Sequence, residues 1–316
     1  MASTKKQPVP PRTANRQPSA ADHKLPTTGR RLRTANRNLP PADRPPRTVP
    51  EGWHGWDEYA AFYDWENART LGRRDVPFWR NLAARAGGPV LELGCGTGRI
   101  LLPAGRAGVH VVGIDRSALM LARAAQRVRR ARLGDRVRLV RGDIRSLPFR
   151  TPSVSRRSSE SEAGFALVMA PYGVLQSLLR EHDLAATLAA VSGVLAPGGA
   201  FGLELVADLP SWAEYRKRTS LKGWRGSAGG SHVTLVETVR QDRVRRLTIF
   251  DQEFTERRGR QRRTRRFALT FRTLTVPQMT RRLEKAGFAV TALLGDYCGG
   301  PWDPRAEVWV ILARKC

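Results

Sequence analysis

Val90-Leu91-Glu92-Leu93-Gly94-Cys95-Gly96-Thr97-Gly98-Arg99 is the stretch that decides the fold. Residues 90–93 read as a short buried strand, and three glycines follow at alternate positions. Glycine adopts backbone conformations closed to other residues and leaves space where a side chain would collide, so a ligand can approach this loop closely. The spacing is Gly-x-Gly-x-Gly. It differs from the Gly-x-Gly-x-x-Gly of dinucleotide folds, and no Gly-Lys-Ser/Thr of a phosphate-binding loop follows.

Working outward, apolar strands recur at Val109–Ile114, Val137–Val140, Phe165–Met169 and Ala200–Val206. Helix-period segments lie between them, among them Ser117–Arg132, with Ser117 as its cap, and Asp183–Leu195. Ala196-Pro197-Gly198-Gly199 stops the second of these. Such alternation predicts an α/β protein with a parallel sheet covered on both faces. Thr151–Gly164, rich in Ser, Arg and Glu, reads as a loop insertion. Val233–Val239, Arg243–Phe250 and Arg265–Leu274 alternate apolar and polar residues and predict an antiparallel meander. Val276–Gly287 resumes the helical period, with Gly287 as C-cap, and Ala289–Leu294 and Glu307–Ala313 read as two last strands.

The chain of 316 residues is long enough to bury a core without disulfides. No apolar run reaches the ~18–20 residues of a membrane span. The polar N-terminus has no secretory pattern. Cys95, Cys298 and Cys316 are an odd number without metal spacing, and a reducing cytoplasm is the expected home. His23, His54, His110, His182 and His232 form no metal-spaced set, so no metal is expected. The net charge is +27, with 55 Lys and Arg against 28 Asp and Glu. That balance raises the prospect of a nucleic-acid partner, although the arginines are spread along the chain. Residues 1–50 are rich in Pro and Arg, lack hydrophobic periodicity, and read as a disordered basic tail that offers charge to nucleic acid. Residues 51–88 carry Trp53, Trp56, Tyr59, Phe62, Tyr63 and Trp65, and Trp56, Tyr59 and Tyr63 fall on one face of a helix. The expected organisation is a tail (1–50), an aromatic helical lid (51–88), a ligand-binding core (89–206), an antiparallel β insertion (207–275) and a closing helix with two strands (276–316).

Further acids follow in order. Asp115 closes the second strand in Val111-Val112-Gly113-Ile114-Asp115, where an acid can accept both hydroxyls of a ribose. Asp143 follows the third strand in Arg141-Gly142-Asp143-Ile144. With the glycine loop and Leu195-Ala196-Pro197-Gly198-Gly199, these residues make the chain resemble the class I S-adenosylmethionine-dependent methyltransferases. The resemblance covers roughly residues 51–315 and is specific in 89–205. It implies a Rossmann-like sheet of seven strands, mostly parallel with the last antiparallel, and S-adenosyl-L-methionine as cofactor. It further implies that Glu92, Gly94, Cys95, Gly96 and Gly98 surround the methionine part. Asp115 with Arg116 then binds the ribose, Asp143 and Ile144 face the adenine, and Ala170 lies near the transferred methyl.

The acceptor is less legible. Met169-Ala170-Pro171-Tyr172-Gly173 lacks the Asn/Asp-Pro-Pro-Tyr/Phe pattern of amide- and base-amino-methylating enzymes, and no Pro-Cys supports a cytosine-C5 mechanism. The β insertion resembles small-molecule methyltransferases. A small-molecule acceptor methylated at N or O is the expected partner, ahead of RNA or protein, or of a cofactor-binding regulator without turnover. No histidine follows the fourth strand, so no general base is identified. Tyr172 and Gln176, in the turn after that strand, and Tyr63 of the lid are expected to orient the acceptor.

Overall fold

The computed structural model describes residues 52–70, 74–149, 164–207, 209–226 and 230–316. The expected tail and nearly all of the expected loop insertion at 151–164 lie outside the described residues. The chain begins with three helices, α1 (Trp56–Tyr59), α2 (Tyr63–Asn67) and α3 (Val76–Ala84). Then β1 (Val90–Leu93), α4 (Leu101–Arg106), β2 (Val111–Asp115), α5 (Ala118–Arg130), β3 (Val137–Arg141), β4 (Phe165–Ala170), α6 (Glu181–Val194) and β5 (Leu195–Val206) alternate. Four strands follow: β6 (Tyr215–Arg225), β7 (Ser231–Asp242), β8 (Leu247–Arg258) and β9 (Gln261–Arg272). The chain closes with α7 (Val276–Lys285), β10 (Phe288–Leu294) and β11 (Val308–Lys315).

Seven strands form one sheet in the order β10-β11-β5-β4-β1-β2-β3. β11 runs antiparallel to both neighbours, while β5, β4, β1, β2 and β3 pair in parallel. Every residue of β1 is buried, as a central strand covered on both faces requires. α5 buries Met120, Ala124 and Val128, one turn apart each, with Val128 in the core of the large sheet and Met120 in the aromatic cluster of the N-terminal segment, and Ser117 caps it by accepting from the Met120 amide. α7 starts with a capping box between Thr275 and Gln278. Among the described residues no helix is long and apolar enough to cross a membrane.

The second sheet, β6-β7-β8-β9, is antiparallel throughout. It has four strands where the sequence pattern predicts three. β6 reads Tyr-Arg-Lys-Arg-Thr-Ser-Leu-Lys-Gly-Trp-Arg, an edge strand with two register irregularities and no apolar alternation to betray it. Its neighbour β7 alternates strictly, burying Val233, Leu235, Glu237 and Val239 on one face. That face packs against the N-terminal segment. Tyr59, Phe62 and Trp65 meet Val233, Leu235, Phe254 and Leu269 in one cluster.

The single helical face expected across Trp56, Tyr59 and Tyr63 is broken into α1 and α2 by a turn at residues 60–62. The break lets Phe62 turn inward and stack on Phe254, with ring centroids 4.1 Å apart, while Tyr59 and Tyr63 still touch at 5.5 Å. Phe254 also stacks on Phe267 and is fully buried. Phe254→Ala should therefore lower stability by about 3–5 kcal/mol in a urea titration, as large aromatic truncations do. A loss below about 1 kcal/mol would show that the lid and sheet do not depend on this contact.

Candidate active site

The order of strands in the large sheet reverses between β1 and β4, and a crevice opens beyond the strand ends at such a switch point. A cavity of about 360 Å³ occupies that place, within the usual range of small-molecule sites. Gly94 and Gly96 line it beside Asp115, Arg116 and Ser117. Asp143 and Ile144 line a second part, and Pro171, Tyr172 and Gly173 a third. Trp53, Trp56, Asp57 and Tyr63 of the N-terminal segment and Phe271 of β9 complete the lining.

The glycine loop owes its shape to backbone conformations in the left-handed region, with φ of 60° at Gly94 and 52° at Gly96. A Cβ on Gly94 would come within 2.3 Å of Val174 Cγ2. Asp115 holds the loop from the next strand. Its Oδ2 accepts from the Gly96 amide and its Oδ1 from the Ser117 amide, each at 2.8 Å. Each oxygen keeps acceptor capacity for a hydroxyl. Burial raises the Asp115 pKa, and the Ser117 and Gly96 amides pull it back.

Asp143 is placed differently from a free adenine acceptor. Its carboxylate is taken by the Arg145 guanidinium and backbone amide and by Arg116 at 3.1 Å. The Arg145 hydrogen bond holds its carboxyl below the usual range. Asp143 is thereby fixed as a hub that orders Arg116 and Arg145 at the cavity edge. Glu92, Cys95, Gly98 and Ala170 do not reach the lining. Burial pushes the Cys95 thiol well up, which suits a packed side chain and not a nucleophile. Burial also raises Glu92 to about 8, opposed by Arg99. Its buried Oε2 has no hydrogen-bond partner.

The turn after β4 is held from behind. Tyr172 has φ of 53°, an uncommon conformation for a non-glycine residue, and Gly173 follows at 65°. The Tyr172 amide donates to Glu204 Oε2 at 3.2 Å, and the Tyr297 hydroxyl donates to Glu204 Oε1 at 2.9 Å. The Arg99 guanidinium lies 5.4 Å from the Tyr172 ring and is paired with Asp75 at 2.5 Å. Gln176, expected to face an acceptor, is fully buried and turned away. Its Oε1 accepts from the Val206 amide at 2.8 Å and its Nε2 donates to the Val206 carbonyl, so the side chain is consumed in tying the turn to the end of β5. Tyr63 and Tyr172 do reach the cavity together.

Four contacts that no motif announces hold the N-terminal segment over the cavity. Ser117 Oγ donates to Asp57 Oδ1, Thr97 Oγ1 donates to Asp64 Oδ1 at 2.7 Å, and Arg127 pairs with Asp64 at 3.0 Å. Arg116 lies over the Trp53 ring at 4.2 Å. The only advance signal is the density of aromatic residues at 53–65. Among the described residues no group of His, Cys, Asp and Glu could hold a metal ion.

Glu204 offers a pH test of this arrangement. Burial raises its carboxyl to about 7, with Asp75 adding to the rise. The folded protein thus keeps a proton that the unfolded chain sheds near its ordinary value, and stability falls as pH rises between the two. Against Glu204→Gln, wild type should lose up to about 3 kcal/mol between pH 4.5 and 7 in denaturation experiments. A stability difference independent of pH would refute the buried carboxyl.

Residues 90–199 match a family model described as a methyltransferase domain. The cypemycin N-terminal methyltransferase of a Streptomyces species is 27% identical over 242 residues, covering 72% of this chain and 84% of that protein. A sterol 24-C-methyltransferase of Gibberella zeae is 26% identical over 158 residues, covering 48% of this chain and 37% of that protein. The structure of the CcbJ methyltransferase of Streptomyces caelestis superposes with a TM-score of 0.64 at 20% identity, covering 82% of this chain and 97% of that one. Residues 90–199 therefore match a methyltransferase domain, set in a fold shared with the Streptomyces caelestis methyltransferase.

Proposed function

We propose that this protein transfers a methyl group from S-adenosyl-L-methionine to a nitrogen or oxygen of a small molecule. The observation that carries the reading is one continuous cavity that joins the Asp115-braced glycine loop to the turn after β4 under the N-terminal segment. The residues suit the cofactor. Glycines without side chains line one part, and the carboxylate of Asp115 stands beside them. The buried, unpartnered Oε2 of Glu92 lies behind the loop. Gly94 and Gly96 would hold the methionine part, with Glu92, Cys95 and Gly98 supporting the loop from behind. Asp115 and Arg116 would hold the ribose, and Ile144 with the backbone at Asp143 would meet the adenine edge, the Asp143 carboxylate being engaged by Arg116 and Arg145. When bound, the cofactor supplies a methyl on a sulfonium, which is a good leaving group.

In this reading the protein positions the acceptor and excludes water. Ala170 sets the turn below the methyl, and Tyr63 and Tyr172 present hydroxyls to the acceptor. Burial raises both phenols, so each stays protonated and donates or accepts a hydrogen bond without acting as a strong base. Orientation of this kind can supply about 7–11 kcal/mol of a barrier. Gln176 acts one step back, through the turn it braces. The division into lid (51–88), cofactor core (89–206), β insertion (207–275) and closing segment (276–316) belongs to the same proposal, as does a place in the cytoplasm. The enclosing segment favours a small acceptor, and the N-terminal methylation named for the Streptomyces relative favours nitrogen.

Calorimetry should show S-adenosylmethionine binding to wild type, a loss of about 1.5–3 kcal/mol in Asp115→Ala, and no measurable binding in Gly96→Val. A Val side chain there enters open space at the cavity floor, on a backbone that β-branched residues resist. Unchanged binding in both variants would refute the cofactor site. With methyl-labelled cofactor and a pool of small metabolites beside total RNA, label should enter the metabolites, and Tyr63→Phe should retain more transfer than Tyr63→Ala. Label confined to RNA would overturn the small-molecule reading.

A further inference from the structure

The four-stranded sheet has a second face, turned away from the N-terminal segment. The register places Trp224, His232, Arg257 and Arg262 directly opposite one another across β6, β7, β8 and β9. The next row on the same face is Lys222, Thr234, Thr255 and Thr264. Neither row belongs to the buried face, which carries Val233, Leu235, Gln252 and Phe254. Trp224 is 64% exposed, against the habit of so large an apolar ring, and its only ring contact among the described residues is the edge of His232 at 6.2 Å.

The charge at this end is dense. Residues 257–266 hold seven arginines and no acid. Among the described residues Arg266 pairs with Glu253, whereas Arg257, Arg258, Arg260, Arg262 and Arg263 enter no ion pair. Arg257 and Arg262 face each other across the ladder, where like charges destabilise a sheet. An anion between them would reverse the sign of that contact.

We propose that this open face binds single-stranded nucleic acid, with a base stacked on Trp224 and phosphates on Arg257, Arg262 and Lys222. Exposed aromatic rings beside cations on a flat sheet suit unpaired bases and a phosphate chain together. A duplex fits less well. The row is four strands wide, about 14 Å, and the major groove admits only a helix or a two-stranded ribbon. All four strands end at nearly the same level, so no ribbon projects. None of these residues takes part in the methyl-transfer reading, and the two stand or fall separately.

The test is fluorescence anisotropy of the full chain with a labelled 20-nucleotide RNA of mixed sequence, titrated over a range of salt. Trp224→Ala should weaken binding roughly five- to hundredfold, the scale of one base stack. Arg257→Gln with Arg262→Gln should lower the salt slope by about 1.4, or 0.7 for each phosphate no longer neutralised. Arg129→Gln with Arg130→Gln, which removes the same charge from the exposed end of α5, should leave binding within twofold. Far-ultraviolet circular dichroism and cofactor affinity should be unchanged in all variants. The proposal is overturned if the α5 pair weakens binding as much as the sheet pair. It is equally overturned if Trp224→Ala is silent, or if an RNA duplex, polyglutamate or anionic vesicles compete as well as the single strand.

Discussion

One carboxylate sets the geometry on which the cavity depends. Asp115 lies at the end of β2 and accepts from Gly96 in the loop after β1 and from Ser117 at the start of α5. Hydrogen bonds to an ionised acceptor are about twice as strong as neutral ones, and these two fix three chain segments at one point. The ladder prepares the contact. Glu92 is opposite Gly113 and Leu93 opposite Ile114, and the Cys95 amide extends the pairing to the Ile114 carbonyl. Gly113 completes it by absence, since a Cβ there would come within 2.8 Å of Cys95 Sγ. With its amide held, Ser117 caps α5 and its hydroxyl reaches Asp57. The loop, the helix and the covering segment thus take their places from the same side chain.

The turn after β4 shows how an unfavourable backbone is kept. A tyrosine in the left-handed region costs about 1–3 kcal/mol unless its surroundings hold it there. Here Glu204 binds the Tyr172 amide, Gln176 ties the following turn to Val206, and Arg99 lies by the ring. Glu204, Asp75, Glu92 and Arg99 are themselves buried or nearly so, and several of their polar atoms lack partners. Buried polar groups left unpaired are costly, so this region stores free energy beside the cavity that the apolar core must offset.

What can be read in advance follows from how local each signal is. The glycine loop, Asp115 and the parallel strands are legible because β1 and β2 need continuous apolar residues and the loop needs positive φ within a few positions. The ties of Asp57 to Ser117 and of Asp64 to Thr97 and Arg127 are not, because their partners are 60, 33 and 63 positions apart and surface acids carry no pattern. Gln176 departs from expectation for a related reason. Its place after β4 is as expected, but its direction is set by Val206, thirty residues on. Strand β6 escapes the pattern because an edge strand with few apolar residues need not alternate.

The covering segment is joined to its two neighbours by different forces. Toward the four-stranded sheet it offers Tyr59, Phe62 and Trp65, in aromatic contacts each worth about 0.5–1.5 kcal/mol beyond the area they bury. Toward the cofactor loop it offers mainly Asp57 and Asp64, and the partly exposed Asp64–Arg127 pair is of a kind worth about 0–1 kcal/mol. Met120 of α5 is the main apolar link to the large sheet's side. Opening that moves the segment together with β6–β9 breaks these polar contacts and the Met120 contact, and with them the Arg272–Glu181 pair and the packing of Phe250 and Phe271 near Val206. Peeling the segment from β7 and β8 would expose Phe254 and its stacked partners.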